Sequence, residues 1–401
     1  MLQPVAKLYK DSYAGLSREI WLLSLVMLIN RSGTMVLAFM TLYCRHLGFS
    51  TAEAGWVVSV YGLGSIAGAY LGGKLSDRIG FYPIQFSALF LGGICFILLG
   101  QMESYSNILI MTFLLSMVNE SFRPANATAI AQYSTAQNRT QAFSLVRLAI
   151  NLGWGVGSAI GGILASLDYH WLFLTDGITS MFASFLLLFL LPRPKRIGHE
   201  EPGLNVQAEP TQKAHHDKIF MRFLGLQVLF ALCFFQLFTT VPMYLKEGLH
   251  LTEYNIGVLM ALNGLMIALM EMILVFRLEG RYSYLRLMAF GTGMMAASYF
   301  LLNLTLIPSF ILALLFIIII TIAEMIAMPF MNTYYISRST AQNRGEYAGL
   351  YTMAWSLAQV IGSGSGAWLA LLLGFKGLWI FLTAICIITA FGYLKLGALK
   401  K

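Results

Sequence analysis

Charge is scarce in this chain. Only 11% of its 401 residues are Asp, Glu, Lys or Arg, and 58% are hydrophobic, where a soluble globular domain carries about 25% charged residues. An ordinary soluble domain is excluded. Cysteine is scarce too: Cys44, Cys95, Cys233 and Cys386 stand singly in apolar segments, without disulfide or metal-ligand spacing. They read as small apolar packing residues. The six histidines fall in loops or at helix ends, and His215-His216 have no further ligands nearby, so no metal site is expected. No G-x-x-x-x-G-K-S/T loop is present, which disfavours direct energisation by ATP. The apolar runs are continuous and do not alternate with polar residues, which excludes a membrane β-barrel. The N-terminal Lys7-Leu8-Tyr9-Lys10-Asp11 stretch is too polar for the core of a cleavable signal, so none is expected.

What remains is apolar sequence almost end to end. The mean hydropathy is +0.72, and runs of about 20 residues suffice to cross ~30 Å of hydrocarbon. Spans are expected near 19–44, 51–72, 84–101, 107–133, 141–166, 171–191, 218–246, 252–277, 286–303, 308–335, 345–372 and 377–396. That is an all-α membrane protein with twelve helices, arranged as a six-helix bundle over 1–191, a linker over 192–217 and a second six-helix bundle over 218–401. The linker is rich in Pro and mixed charge and reads as flexible and cytoplasmic. The net charge of +8 comes from Lys and Arg gathered at alternate connections. Twenty fall on the side of the termini and linker, three (Arg45, Lys246 and Lys376) on the other, and three lie within helices. The positive-inside rule then places both termini in the cytoplasm, and the basic surplus sets topology without implying a nucleic-acid partner.

The two bundles are repeats. Ser134-Thr135-Ala136-Gln137-Asn138-Arg139 recurs unchanged 205 residues later as Ser339-Thr340-Ala341-Gln342-Asn343-Arg344. Pro124 and Pro329, Gly157 and Gly362, and Gly161 and Gly366 keep the same offset. Parallel repeats in a membrane are a transporter architecture. Each hexapeptide is followed by a capping pattern, Asn138-x-x-Gln141 and Asn343-x-x-Glu346, which predicts that Asn caps the next helix.

After the second span comes Gly72-Gly73-Lys74-Leu75-Ser76-Asp77-Arg78-Ile79-Gly80. In a two-fold twelve-helix chain this resembles the G-x-L-x-D-R-x-G motif of the major facilitator superfamily. The family usually follows the last Gly with basic residues, whereas Phe81 and Tyr82 stand here. The second copy, Arg277-Leu278-Glu279-Gly280-Arg281, is degenerate. Gly153 to Gly162 resembles the fifth-helix signature of the family's drug/proton antiporters, with Ser158 at the place of its proline. The resemblance implies that helices 2, 5 and 11 lie between the halves, so the four-residue glycine rows (Gly64, Gly68, Gly72; Gly153, Gly157, Gly161; Ala358, Gly362, Gly366) are expected to serve close packing there. It also implies that Asp77 docks near the start of helix 11, with Arg78, Arg139, Gly73 and Gly80 completing a cytoplasmic latch.

Ionisable groups inside a bilayer cost at least ~2.5–3.5 kcal/mol each and so need a reason. Arg31 lies in helix 1; Glu120 and Arg123 share a face of helix 4; Arg147 and Asn151 share a face of helix 5. Glu271 lies toward the cytoplasmic end of helix 8 and Glu324 deep in helix 10. The family resemblance puts helices 1, 4, 7 and 10 around a central cavity. Arg31, Arg123, Arg147 and Asn151 are thus candidates for binding an anionic or zwitterionic solute. Glu324, then Glu120 and Glu271, are candidates for taking up a coupling proton. Pro124 and Pro329 are expected to bend helices 4 and 10. The expected function is a proton-coupled secondary transporter in a bacterial inner membrane, not an enzyme, acting as a monomer on a small molecule with the proton gradient in place of a cofactor. A multidrug/proton antiporter or a lipid flippase is the alternative.

Overall fold

The computed structural model describes residues 2–193, 213–304 and 307–398, all in helices and the turns between them. In chain order the helices are α1 (Leu2–Tyr13), α2 (Arg18–Ser32), α3 (Val36–His46), α4 (Thr51–Ile79), α5 (Phe81–Leu99), α6 (Tyr105–Tyr133), α7 (Arg139–Leu167), α8 (His170–Leu190), α9 (Lys218–Phe235), α10 (Thr240–Glu247), α11 (Glu253–Leu278), α12 (Tyr284–Leu301), α13 (Ser309–Arg338) and α14 (Arg344–Ala398). Eight helices of the described residues are long and apolar enough to cross a membrane. The helices correspond to the twelve expected spans when α2 with α3 and α9 with α10 are each counted as one and α14 divides at Gly374, whose φ of 68° interrupts the helix.

Most boundaries move by a few residues, and one shift matters. The second span was expected to end near 72, but α4 continues to Ile79 and carries Asp77 and Arg78 on its last turn. Gly80 then turns the chain with φ 93° and ψ 156°, a conformation essentially restricted to glycine. The departure at Phe81 and Tyr82 also acquires a reason. Both are buried, and the Tyr82 hydroxyl lies 3.2 Å from the Leu187 carbonyl and 3.3 Å from those of Leu188 and Leu191. It thereby sits over the C-terminal end of α8, where the Leu187 carbonyl also accepts from the Leu191 amide (3.1 Å) and the later carbonyls lie beyond the helical ladder.

The described residues form two compact units. One takes in Leu16–Asp217 with Ile336–Met353 and so holds α2–α8 and the first turns of α14. Here the glycine row of α4 lies against α6: a Cβ on Gly64, Gly68 or Gly72 would run into Phe113, Met117 or Ser121. The row on α7 does the same against α2, where Gly153 and Gly157 face Leu28, Arg31 and Ser32. The other unit takes in Met1–Gly15, Lys218–Tyr335 and Ala354–Lys401, and in it Gly362 and Gly366 face Leu232, Gln236 and Thr240. These rows, expected between the halves, are used within a unit, because helices sequentially near in each bundle also need backbone-to-backbone approach. In the second unit α1 is tied to α11 by the Tyr9 hydroxyl on the Leu269 carbonyl (2.6 Å), and Tyr299 stacks on Trp379.

Both hexapeptide copies close the same turn through the asparagine side chain. Asn138 Oδ1 accepts from the Thr135 amide (2.9 Å) and Asn343 Oδ1 from the Thr340 amide (2.8 Å). Each asparagine thus turns back on its own loop, and Asn138 makes no cap bond to α7. α6 and α13 run on as helices through Pro124 and Pro329. Thr128 and Thr333 donate their hydroxyls to the respective proline carbonyls (3.0 and 3.3 Å). Residues 194–212 of the expected flexible linker lie outside the described residues. Its end is ordered: Asp217 takes a two-pronged bond from Arg338 (2.7 and 2.8 Å) and a third from the Tyr347 hydroxyl (3.0 Å).

Candidate functional site

In the first unit the polar candidates gather where the first span breaks. α2 ends at Ser32 and α3 begins at Val36, so the intervening turn leaves amides without helical acceptors. A fully buried carboxylate from α8 supplies them. Asp176 Oδ2 accepts from the amides of Met35 (2.9 Å) and Val36 (2.8 Å), and Oδ1 is 3.1 Å from the Met35 amide. On the same face Asn30 Nδ2 donates to Ser180 Oγ (3.3 Å). Beside the break lies a polar cavity of about 30 Å³, with Asn30, Arg31, Tyr61, Asn119, Glu120 and Ser180 among its lining. That is room for about one water and not for an organic solute. Glu120 Oε2 is 3.2 Å from Arg123 Nη1, as the three-residue spacing on one helix face requires. The Nε of Arg31 is buried and has no hydrogen-bond partner.

The structure brings Arg31 and Glu120 to this cavity and Arg123 to Glu120. Arg147 and Asn151 are half-buried on α7 and are not part of the lining. One acid escaped the sequence reading. Asp176 stands alone in the apolar run of α8, and the rule that flagged Glu120 and Glu324 applies to it equally. The interior of the first bundle therefore holds three Arg against two acids, not against one. Tyr61, Asn119 and Ser180 carried no sequence signal, since uncharged polar residues are common in membrane helices.

In the second unit Glu324 is buried on α13. Asn263 Nδ2, from α11, donates to Glu324 Oε1 and to Thr321 Oγ1, both at 2.8 Å. Glu271 is buried on α11, at the end where α1 lies, close enough to Tyr13 to act on it electrostatically. The span α9–α10 does not break as α2–α3 does: between the two helices the chain tightens to a 3-10 turn over Gln236–Phe238. There Gln236 donates to the carbonyls of Leu232 (3.0 Å) and Gly362 (2.9 Å) and accepts from the Thr240 hydroxyl (2.8 Å).

The motif on α4 makes a joint with the first turn of α14. Asp77 Oδ1 accepts from the Gly345 amide (2.6 Å) and Oδ2 from the Glu346 amide (2.7 Å). Carboxylates are favoured at such helix N-termini. Gly73 and Gly345 permit the approach, since a Cβ on either would overlap the other's carbonyl oxygen. The cation acting on Asp77 is Arg344, whereas Arg78 is exposed and Arg139 is half-buried at the start of α7. Among the described residues no three His, Cys, Asp or Glu side chains are placed to hold a metal ion.

The sequence profile described as Major Facilitator Superfamily matches residues 20–363. An uncharacterized transporter of that type, YttB of Bacillus subtilis, is 26% identical over 355 residues, covering 86% of each chain. A Na⁺, Li⁺, K⁺/H⁺ antiporter of Planococcus maritimus is 23% identical over 399 residues, covering 91% of this chain and 92% of its own. The solved structure of the proton:xylose symporter XylE superposes with a TM-score of 0.73 at 16% identity, covering 95% of this chain and 96% of the other. With that profile matched over residues 20–363, the chain belongs to the major facilitator superfamily and is a membrane transporter, not an enzyme.

Proposed function

We propose that the protein is a proton-coupled secondary transporter of a small organic anion or zwitterion, working by alternating access in a bacterial inner membrane with both termini and the 192–217 linker in the cytoplasm. The observation that carries this reading is Arg31: a partly buried side chain whose buried Nε has no hydrogen-bond partner, at the edge of a polar cavity. An unsatisfied charged donor in an apolar interior is costly, and a substrate carboxylate would satisfy it through paired bonds. Arg123, Arg147 and Asn151 are assigned to the same task on other faces of the bundle. Asp176 does not cancel this preference, because its oxygens are engaged by the α3 amides. Glu324 is assigned the coupling proton. It is a buried carboxyl inside the second bundle whose Oε1 accepts from Asn263, a place from which a proton could be taken up and released. Glu120, held by Arg123, and Glu271 are secondary sites. The Asp77 joint, with Gly73, Gly80, Arg78 and Arg139, is assigned to the gate.

The reading is tested in proteoliposomes with an imposed pH gradient, using benzoate, alanylalanine and tetraphenylphosphonium as anionic, zwitterionic and cationic probes. Gradient-driven movement of benzoate or alanylalanine is expected, lost by at least tenfold in Arg31→Ala. Glu324→Gln should abolish the response to the gradient while leaving substrate exchange without a gradient. Transport by Glu324→Gln that still follows the gradient refutes the coupling assignment.

A second reading, export of lipophilic cations in exchange for protons, has its own support. Trp355 is flanked edge-on by Phe230, Phe234 and Phe235, with Phe238 against Phe234, a wall suited to cation–π contact. Movement of tetraphenylphosphonium alone would favour it.

A further inference from the structure

An apolar groove of about 490 Å³ runs along the second unit, lined by none of the residues assigned to transport. It lies between α12 and the part of α14 that follows Gly374. These run antiparallel: the Thr383 hydroxyl is 3.5 Å from the Ala296 carbonyl, and a Cβ on Gly397 would lie 3.7 Å from the Leu285 side chain. Ala289, Gly293 and Ala297 recur every four residues on α12 and so form one row along the groove. Phe290 and Leu394, both exposed, form its walls. A Cβ on Gly293 would meet nothing within 4 Å. The space there is open, unlike that at Gly64, Gly68 and Gly72, where α6 fills it.

Length and charge together point to an occupant. From Arg286 to Ala297 the groove follows α12 for eleven residues, about 16 Å, which is half of the ~30 Å hydrocarbon core. A partner helix would pack across the whole membrane, whereas an acyl chain enters from one face and stops at the midplane. Arg286 stands at the mouth, on the end that the positive-inside rule assigns to the cytoplasm. It is exposed, and among the described residues its guanidinium makes no hydrogen bond or ion pair. Among the described residues no Asp or Glu lines the groove, and Lys395 follows Leu394 in the chain. A guanidinium fork matches phosphate oxygens, and basic pockets between membrane helices at the cytoplasmic face hold anionic headgroups. We propose that this groove binds an anionic phospholipid, with one acyl chain along Ala289, Gly293 and Ala297 and the phosphate on Arg286.

The test is native mass spectrometry of the full chain, released from detergent containing phosphatidylglycerol or phosphatidylcholine, which share acyl chains and differ in headgroup charge. The wild-type protein should retain one phosphatidylglycerol about fivefold more than phosphatidylcholine. Arg286→Gln should bring that ratio close to one. Lys10→Gln, at an exposed position on α1, should leave it as in wild type. Gly293→Leu places a side chain in open space and should lower retention of both lipids, with an unchanged melting temperature in lipid-free detergent. Equal retention of the two lipids by the wild type overturns the proposal. So does a preference that survives Arg286→Gln, or one lost equally in Lys10→Gln, or retention undiminished in Gly293→Leu. A dimer that disappears in Gly293→Leu would place a second copy of the chain in the groove and overturn it as well. Arg286 is exposed, so its variant decides the headgroup contact even where Gly293→Leu does not fold.

Discussion

Replacing Asp77 by Asn tests the joint between α4 and α14 with almost no change of shape. Wild-type Asp77 gives one oxygen to the Gly345 amide at 2.6 Å and the other to the Glu346 amide at 2.7 Å. Both amides belong to the first turn of α14, where no intrahelical acceptor exists. Asparagine keeps one oxygen but points an amide group at the second N–H, so one charge-assisted bond is lost, at about 1.5–3 kcal/mol. The favourable meeting of a negative charge with a helix N-terminus goes too, at about 0.3–1 kcal/mol. Arg344 also acts on Asp77, and its pairing is weakened in the same step. A total of roughly 2–4 kcal/mol converts to a rise of about 30-fold to about 1000-fold in local opening of that turn. Hydrogen exchange of the Gly345 and Glu346 amides at fixed pH reads this directly. The Thr135 amide, held by Asn138, serves as an internal control that should not change. Protection of Gly345 and Glu346 equal to wild type would refute the cap. Loosening of the turn with unchanged insertion and unchanged transport would leave the cap standing and rule out its role as a latch.

Two further outcomes follow from geometry outside the cavity. Gly345→Ala should separate α4 from α14, because its Cβ would overlap the backbone oxygen of Gly73, which cannot swing aside as a side chain can. A cost of about 1–3 kcal/mol is expected, read as a lower melting temperature in detergent. The Asp168 carboxylate, in the turn between α7 and α8, accepts from the His170 amide at 2.9 Å and faces His170 Nδ1 at 2.8 Å. The backbone bond first, then the ring, holds its pKa below the usual carboxylate value. A depressed pKa makes its stabilisation complete above the unfolded value of about 4 and lost as pH falls through the lower folded value. Exchange of the His170 amide should therefore show no loss of protection between pH 7 and pH 5. Loss between those values would show that the carboxyl is not held below its usual range.

Much of the fold could be read from the sequence, because apolar length and duplication report on backbone needs. A span must be about 20 residues, and a repeated hexapeptide must make a repeated turn. The site was less legible, for reasons visible in particular residues. Asn343 matched a capping pattern, yet its Oδ1 turns back to Thr340 while Asp77, 266 positions earlier, caps the helix. Local sequence cannot show a partner that distant. Gly64, Gly68 and Gly72 announced close packing but not with which helix, since spacing fixes a face and leaves its neighbour open. The break in the first span left no mark either. Gly33 and Thr34 are tolerated inside membrane helices, and only the buried Asp176 on another helix makes their turn stable.

The repeat then separates two kinds of requirement. Elements that set backbone geometry are duplicated: the Asn turn-backs, the threonines on the proline carbonyls and the glycines at helix contacts. The first span of each half departs from the α-helix, by a turn between α2 and α3 and by a 3-10 turn over Gln236–Phe238 between α9 and α10. The polar side chain at each departure is not duplicated. In the first half it is an acid from α8, whose oxygens both face backbone amides; in the second it is Gln236, a neutral amide bridging to the Gly362 carbonyl. An acid whose oxygens are committed to amides is a poor counter-ion for Arg31, while Gln236 adds no charge to the half that holds Glu324. Each departure is thus stabilised without cancelling the ionisable group proposed to work in its half. Divergence of the two halves at these positions fits the charged cargo proposed above, which would meet the two halves unequally.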